Sequence, residues 1–166
     1  MILPAEYGAR MGNAIQGHGG SIDKYLRGGI MATFGAAPKS DTWAADAMRA
    51  VDELIFVTEA WREESRSAGQ PPLDIGFAVA TGPVVFGAVG DPNRREYTVI
   101  GDAVSLAAKL EKHNKIAGVA AITTAEAFDT ARSQGYVPPQ PRRSLEKSDV
   151  GGVEFATDLI VLADRY

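Results

Sequence analysis

The sequence predicts an α+β domain, with helices packed against one mixed or mainly antiparallel sheet. Three observations predict it. Apolar residues recur at helical spacing in residues 5–17 and again from 41 into the sixties. Short β-branched runs lie between turns marked by glycine and proline. No internal repeat or low-complexity linker divides the chain, and its 166 residues suit a single domain spanning 1–166.

The elements follow in order. In "AEYGARMGNAIQG", Tyr7, Met11 and Ile15 share one helical face, and "GHGG" stops the helix. "SIDKYL" and "IMATFG" read as a hairpin about Gly28 and Gly29. Asp41 is the expected cap of a long helix whose buried stripe runs Ala44, Met48, Val51, Ile55 and Trp61. The breakers of "SAGQPP" end it. "LDIGFAVATG" and "VVFGAVG" read as a second hairpin joined at "TGP", followed by a polar loop "DPNRRE" and a short strand "YTVIG". Asp102 is the expected cap of the next helix, with Val104, Leu106, Ala107 and Leu110 turned inward. A strand "GVAAIT", a helix from Thr124, a proline-rich loop and closing strands near "EFATDLIVLAD" complete the pattern.

Composition removes several classes of function. A net charge of −4 gives no global electrostatic case for nucleic acid or an anionic membrane, though a local basic pocket stays compatible with it. Without cysteine there is no disulfide, thiolate catalysis or Cys-zinc site. No apolar run approaches the roughly 18 residues of a membrane span. The opening residues lack a basic segment followed by an apolar core, so a cytoplasmic location is the default. Phosphate-loop, H-E-x-x-H and G-x-S-x-G motifs are absent. His18 and His113, the only histidines, read as surface residues without a metal role.

Two ordered blocks are more specific. "TGPVVFGAVGDPNRREYTVIGDAVSLAAKLE", residues 81–111, resembles the class III nucleotidyl cyclases, where a G-P-V-x-G-x-V-G hairpin leads to Y-T-v-I-G-D-x-V-N-x-A-x-R-L. "HGGSIDKYLRGGIMATFG", residues 18–35, is similar to the family's GG-x-x-x-K-x-I-G-D-x-x-M-A-x-F-G block. The likeness extends over roughly residues 5–163.

The resemblance implies a ferredoxin-like βαββαβ core and dimers, homomeric or with another cyclase-type domain, whose sites lie at the subunit interface. It implies conversion of ATP into cAMP and pyrophosphate, with Mg²⁺ or Mn²⁺ held by two aspartates. Lys24 and Thr98 fall where the family reads the purine, in a combination similar to its adenine-selective members. By themselves these two residues read as a solvated strand lysine and a β-former.

At the remaining family positions this chain departs from the pattern. Gly28 stands where a metal-binding aspartate is expected, and Arg27, just before it, would repel Mg²⁺. The other metal aspartate belongs to a D-I-x-G-F strand before the first helix, a central strand that this chain lacks; no Asp precedes Asp23. Its loss is expected to leave backbone groups unpaired unless another strand fills the gap. Ser105 replaces the family asparagine and Lys109 the arginine, with the loss of a planar fork. A triphosphate-binding lysine falls near Gly151. Asp23 is expected on the strand face opposite Lys24. The metal is therefore not expected to bind this chain alone. Three readings stay open: an impaired cyclase domain that needs a partner, a regulatory pseudo-cyclase that dimerises or senses a nucleotide, and a product with no present role.

Overall fold

The computed structural model describes residues 5–165, the side chain of residue 97 apart; the remainder of the expected 1–166 domain lies outside the described residues. The elements are α1 (Ala5–Gly17), β1 (Ser21–Leu26), β2 (Gly29–Thr33), α2 (Trp43–Ser67), β3 (Phe77–Val79), β4 (Val85–Asp91), β5 (Arg94–Ile100), α3 (Asp102–Ala117), β6 (Val119–Thr124), α4 (Ala125–Ser133), β7 (Arg143–Ser148) and β8 (Thr157–Asp164). This is the expected α+β class.

The main sheet has the order β3-β6-β8-β7, with β3 parallel to β6 and the other pairs antiparallel. Helices cover both faces. On one side Ala44, Met48 and Val51 of α2 and Phe128 and Ala131 of α4 pack on Ala121, Ile160 and Leu162. On the other, Leu110 of α3 packs on Ile122, Leu159 and Val161. Alternation along β6 and β8 sends successive side chains to opposite faces, which is why one sheet serves two cores.

The second expected hairpin does not form. The strand after "LDIG" pairs with β6, 44 residues further on at Phe77–Ala121, and β4 pairs instead with β5 from Val85–Ile100 to Asp91–Arg94. The segment read as a polar loop is that hairpin's turn. Asp91 closes it by accepting from the backbone N–H groups of Asn93 at 2.8 Å and Arg94 at 2.9 Å. Val85, Phe86, Val89 and Ile100 on this hairpin are exposed.

The hairpin β1–β2 stands apart from the main sheet, yet it shares a core with it. Ile22, Ile30 and Ala32 from the hairpin and Phe77 from β3 all pack against Met11 and Ile15 of α1 and Leu54 and Trp61 of α2. Among the described residues each of β2 and β3 has a single pairing partner, so two sheet edges lie over one helical layer.

Both expected aspartate caps are corrected. The residue before α2 is Thr42, and the free N–H groups of Ala44 and Ala45 donate to Gln134 Oε1 from the end of α4 at 2.8 and 3.2 Å. A distant side chain thus satisfies the donors that Asp41 was expected to meet. Gly101 precedes α3, and Asp102 is its exposed first residue without a capping bond. A side chain at Gly101 would come within 2.6 Å of the Pro83 carbonyl oxygen, so the close crossing of these two segments requires glycine. Thr124 does cap α4, accepting from Ala127 N at 3.0 Å.

Candidate functional site

Strand β1 carries an irregularity that places the site. Ile22 pairs with Ala32 and Lys24 with Met31, so Asp23 is an extra residue, a bulge. Strict alternation would have separated Asp23 from Lys24. The bulge instead brings Lys24 Nζ to 3.9 Å from Asp23 Oδ2, which corrects the expectation of opposite faces. The Asp23 side chain is only 7% exposed, whereas that of Lys24 is 41% exposed.

Thr98 reaches the same carboxylate from β5, donating its hydroxyl hydrogen to Asp23 Oδ2 at 3.2 Å. Its antiparallel partner on β4 is Gly87, so no side chain from that neighbour covers it. The two residues singled out for purine reading, 74 positions apart in sequence, therefore meet at one buried acid. Sequence reasoning missed the role of Asp23, because a one-residue bulge leaves no mark in composition or periodicity. The group offers ammonium donors beside a hydroxyl oxygen, which suits the edge of a nitrogen heterocycle.

The neighbouring turn has no such equipment. Arg27 and Gly28 form its two-residue loop and both are exposed. Gly28 has φ +85°, a left-handed backbone that disfavours a side chain, and nothing lies within 4 Å of where a Cβ would project. Among the described residues no group of three or more Asp, Glu or His is placed to hold a metal ion. The one carboxylate at the site, Asp23, is already engaged by a hydroxyl and an ammonium. The residues present do not fit a divalent metal centre.

Ser105 and Lys109 lie one turn apart on α3. Ser105 is exposed, and the half-buried Lys109 stem crosses Gly152, with Cε 3.1 Å from where a Cβ would stand. Gly151 beside it faces open space. No hydrogen bond or ion pair among the described residues joins Ser105 or Lys109 to Lys24 or Thr98, so the four candidates form two separate groups.

The histidines differ from expectation. His18 pairs with Glu53 at 2.7 Å and is half-buried. His113 is buried, because the end of α3 is pinned inward where Asn114 donates to Phe77 O at 3.0 Å and Ala120 O at 3.3 Å. A second polar cluster was not legible in the sequence. Tyr136 and Arg142 both donate to Asp52, at 2.7 and 2.8 Å, and tie α2 to the segment after α4.

No protein-family model matches the chain. Among characterised proteins it is similar to Adenylate cyclase 1 of Rhizobium meliloti, with 32% identity over 128 residues, 75% of this chain and 19% of that protein. The chain belongs to the class III nucleotidyl cyclases. An adenylate cyclase of Anabaena cylindrica is 36% identical over 106 residues, which cover 64% of this chain and 21% of the relative. The cyclase domain therefore spans about a fifth of the length of these relatives. The guanylyl cyclase Cya2 shares the fold, with a TM-score of 0.74 at 23% identity, covering 96% of this chain and 78% of that one. Proteins described as adenylate cyclases and as a guanylyl cyclase are thus both similar to this domain.

Proposed function

We propose that this domain serves cyclic-nucleotide signalling as the purine-reading half of an ATP-using cyclase dimer, and that alone it forms little or no cAMP. The observation that carries this reading is the contrast within one hairpin. Lys24 is assembled with Asp23 and Thr98, while the turn four residues on presents Arg27 and Gly28 in place of a carboxylate. Catalysis of the family type needs metal-bound charge on the phosphates and preorganised donors for the developing charge. Loss of one such donor costs about 10²–10³ in rate. Ser105 and Lys109 alter two donors, and no acidic cluster replaces the metal ligands among the described residues. A partner domain would have to bring both the metal and its ligands.

The test mixes the purified chain with cyclase domains that carry both metal aspartates, in Mg²⁺ or Mn²⁺, and measures cAMP formed from ATP. The chain alone is expected to give no product above background, and the mixture is expected to exceed the partner alone. Turnover by the isolated chain would overturn the reading.

A specific feature favours a second reading, a regulatory pseudo-cyclase that acts by dimerisation. Val85, Phe86, Val89 and Ile100 are 63, 54, 52 and 46% exposed on one hairpin. An apolar group of this kind suits burial against another domain. If no partner yields cAMP while the chain still self-associates, this second reading stands.

A further inference from the structure

We infer that Asp23 is a specificity-determining positioning residue, which makes Thr98 an obligate hydrogen-bond acceptor and so selects adenine over guanine. The inference rests on the nucleotide-binding reading above and deepens it. A hydroxyl has one hydrogen to donate and two lone pairs with which to accept. Free to rotate, Thr98 could meet either an amine or a carbonyl. A carboxylate can only accept, so the 3.2 Å contact commits the Thr98 hydrogen to Asp23 Oδ2. What remains for a ligand is the oxygen, an acceptor.

The two neighbouring groups then match one purine edge. Adenine offers a ring-nitrogen acceptor, N1, beside a 6-amino donor. Guanine offers the reverse, an N1–H donor beside a 6-oxo acceptor. Lys24 has only donors, and a Thr98 hydroxyl held by Asp23 has only lone pairs. With Lys24 against N1 and Thr98 against the 6-substituent, the pairing that the family resemblance implies, adenine is satisfied at both positions and guanine at neither. Mismatch leaves polar groups of the base and the site unpaired, the situation in which hydrogen-bonding sites discriminate most. Asp23 acts through Thr98 and not on the base, since its side chain is 7% exposed. The bulge at Asp23 is what allows this, because a regular strand would turn the carboxylate to the other face.

The test is equilibrium binding of ATP, GTP and purine riboside 5′-triphosphate, which lacks the 6-amino group, to the full chain by calorimetry. The wild type is expected to prefer ATP over GTP by at least about tenfold, and to bind the purine riboside nucleotide about tenfold more weakly than ATP. Asp23→Asn can donate to the Thr98 oxygen and release its hydrogen toward a carbonyl. In that variant the ATP-to-GTP ratio is expected to fall to within about threefold, with GTP gaining. Thr98→Val is expected to remove the preference without touching the acid.

A ratio unchanged in Asp23→Asn overturns the inference while leaving nucleotide binding intact. If that variant does not fold, equal wild-type affinity for ATP and the purine riboside nucleotide overturns it without any mutation. Absence of binding by the wild type to all three nucleotides overturns the underlying function as well, so the two failures are distinguishable.

Discussion

The Tyr136 hydroxyl donates to Asp52 Oδ2 at 2.7 Å, joining residues 84 apart in sequence. Arg142 completes the cluster, with Nη2 on Asp52 Oδ1 at 2.8 Å and Nη1 on the Leu162 carbonyl at 2.7 Å. Burial raises the Asp52 carboxyl above its ordinary range, against the pull of Tyr136 and Arg142. Burial likewise pushes the Tyr136 phenol up to about 12 from an ordinary 10.0. A raised pKa in the folded state means that the neutral phenol is favoured by folding. Its contribution is fully present below pH 10.0 and is lost as the pH rises to about 12.

Tyr136→Phe tests this cluster. Near neutral pH it should cost about 1 kcal/mol, because the half-buried carboxylate loses one of its donors. Between pH 10 and 12 the difference from wild type should shrink, since the wild type is then losing the same contribution. Denaturant unfolding of both proteins across pH 7–12 measures it. A difference that stays constant with pH would show that Tyr136 does not titrate with folding.

Restoring a carboxylate at the turn should not restore chemistry. Gly28→Asp places a side chain on a backbone at φ +85°, a strain of about 1–2 kcal/mol for an L-residue. It also stands beside Arg27, with no second acid at hand. Thermal unfolding should show the loss of stability, and cAMP assays in Mn²⁺ should stay at background. Metal-dependent turnover in this variant would mean that the site needed only one ligand.

The exposed hairpin gives a prediction about assembly. Phe86→Asp should leave thermal stability within about 0.5 kcal/mol of wild type, because the side chain is 54% exposed in the monomer. It should shift the chain toward monomer in analytical ultracentrifugation, since a charge buried in an apolar interface goes unpaired. Unchanged sedimentation at all concentrations would show that this hairpin takes no part in self-association.

The split between β2 and β3 predicts uneven backbone protection. Amides of β6 and β8, each paired on both sides in the main sheet, should exchange slowest. Amides on the free edges of β2 and β3 should exchange by local opening, about 10²-fold faster or more. Adding a cyclase partner that supplies an extended strand should slow them. Uniform slow exchange in the isolated chain would show that these edges are already satisfied.

Much of this domain could be read from local pattern alone. The 3.6-residue spacing of Met11 and Ile15, and of Ala44, Met48 and Val51, named the buried faces of α1 and α2 correctly. Thr124 at the head of α4 carried its own cap signal. The purine-reading candidates were legible as well, since Lys24 and Thr98 sit in ordered blocks whose spacing does not depend on how the chain folds. The resemblance sets Gly28 at the place of an expected aspartate by the same spacing.

Other features depended on which segments met. Two apolar runs joined by "TGP" look like a hairpin locally, but Phe77–Val79 found its partner in β6, and Val85–Asp91 found β5 through the Asp91 turn. Asp41 lost its expected role because Gln134, 93 residues away, reached the helix first. His113 became buried because Asn114 fixed the end of α3 against β3 and β6.

The sequence by itself determined the family, the order of helices and strands and the buried stripes. These are properties of spacing along the chain, and spacing survives translation into one dimension. Only the tertiary structure brought Asp23 together with Lys24 and Thr98. One extra residue in β1 cancels the alternation of the strand, and its effect appears only when Thr98 arrives from β5 to share the acid.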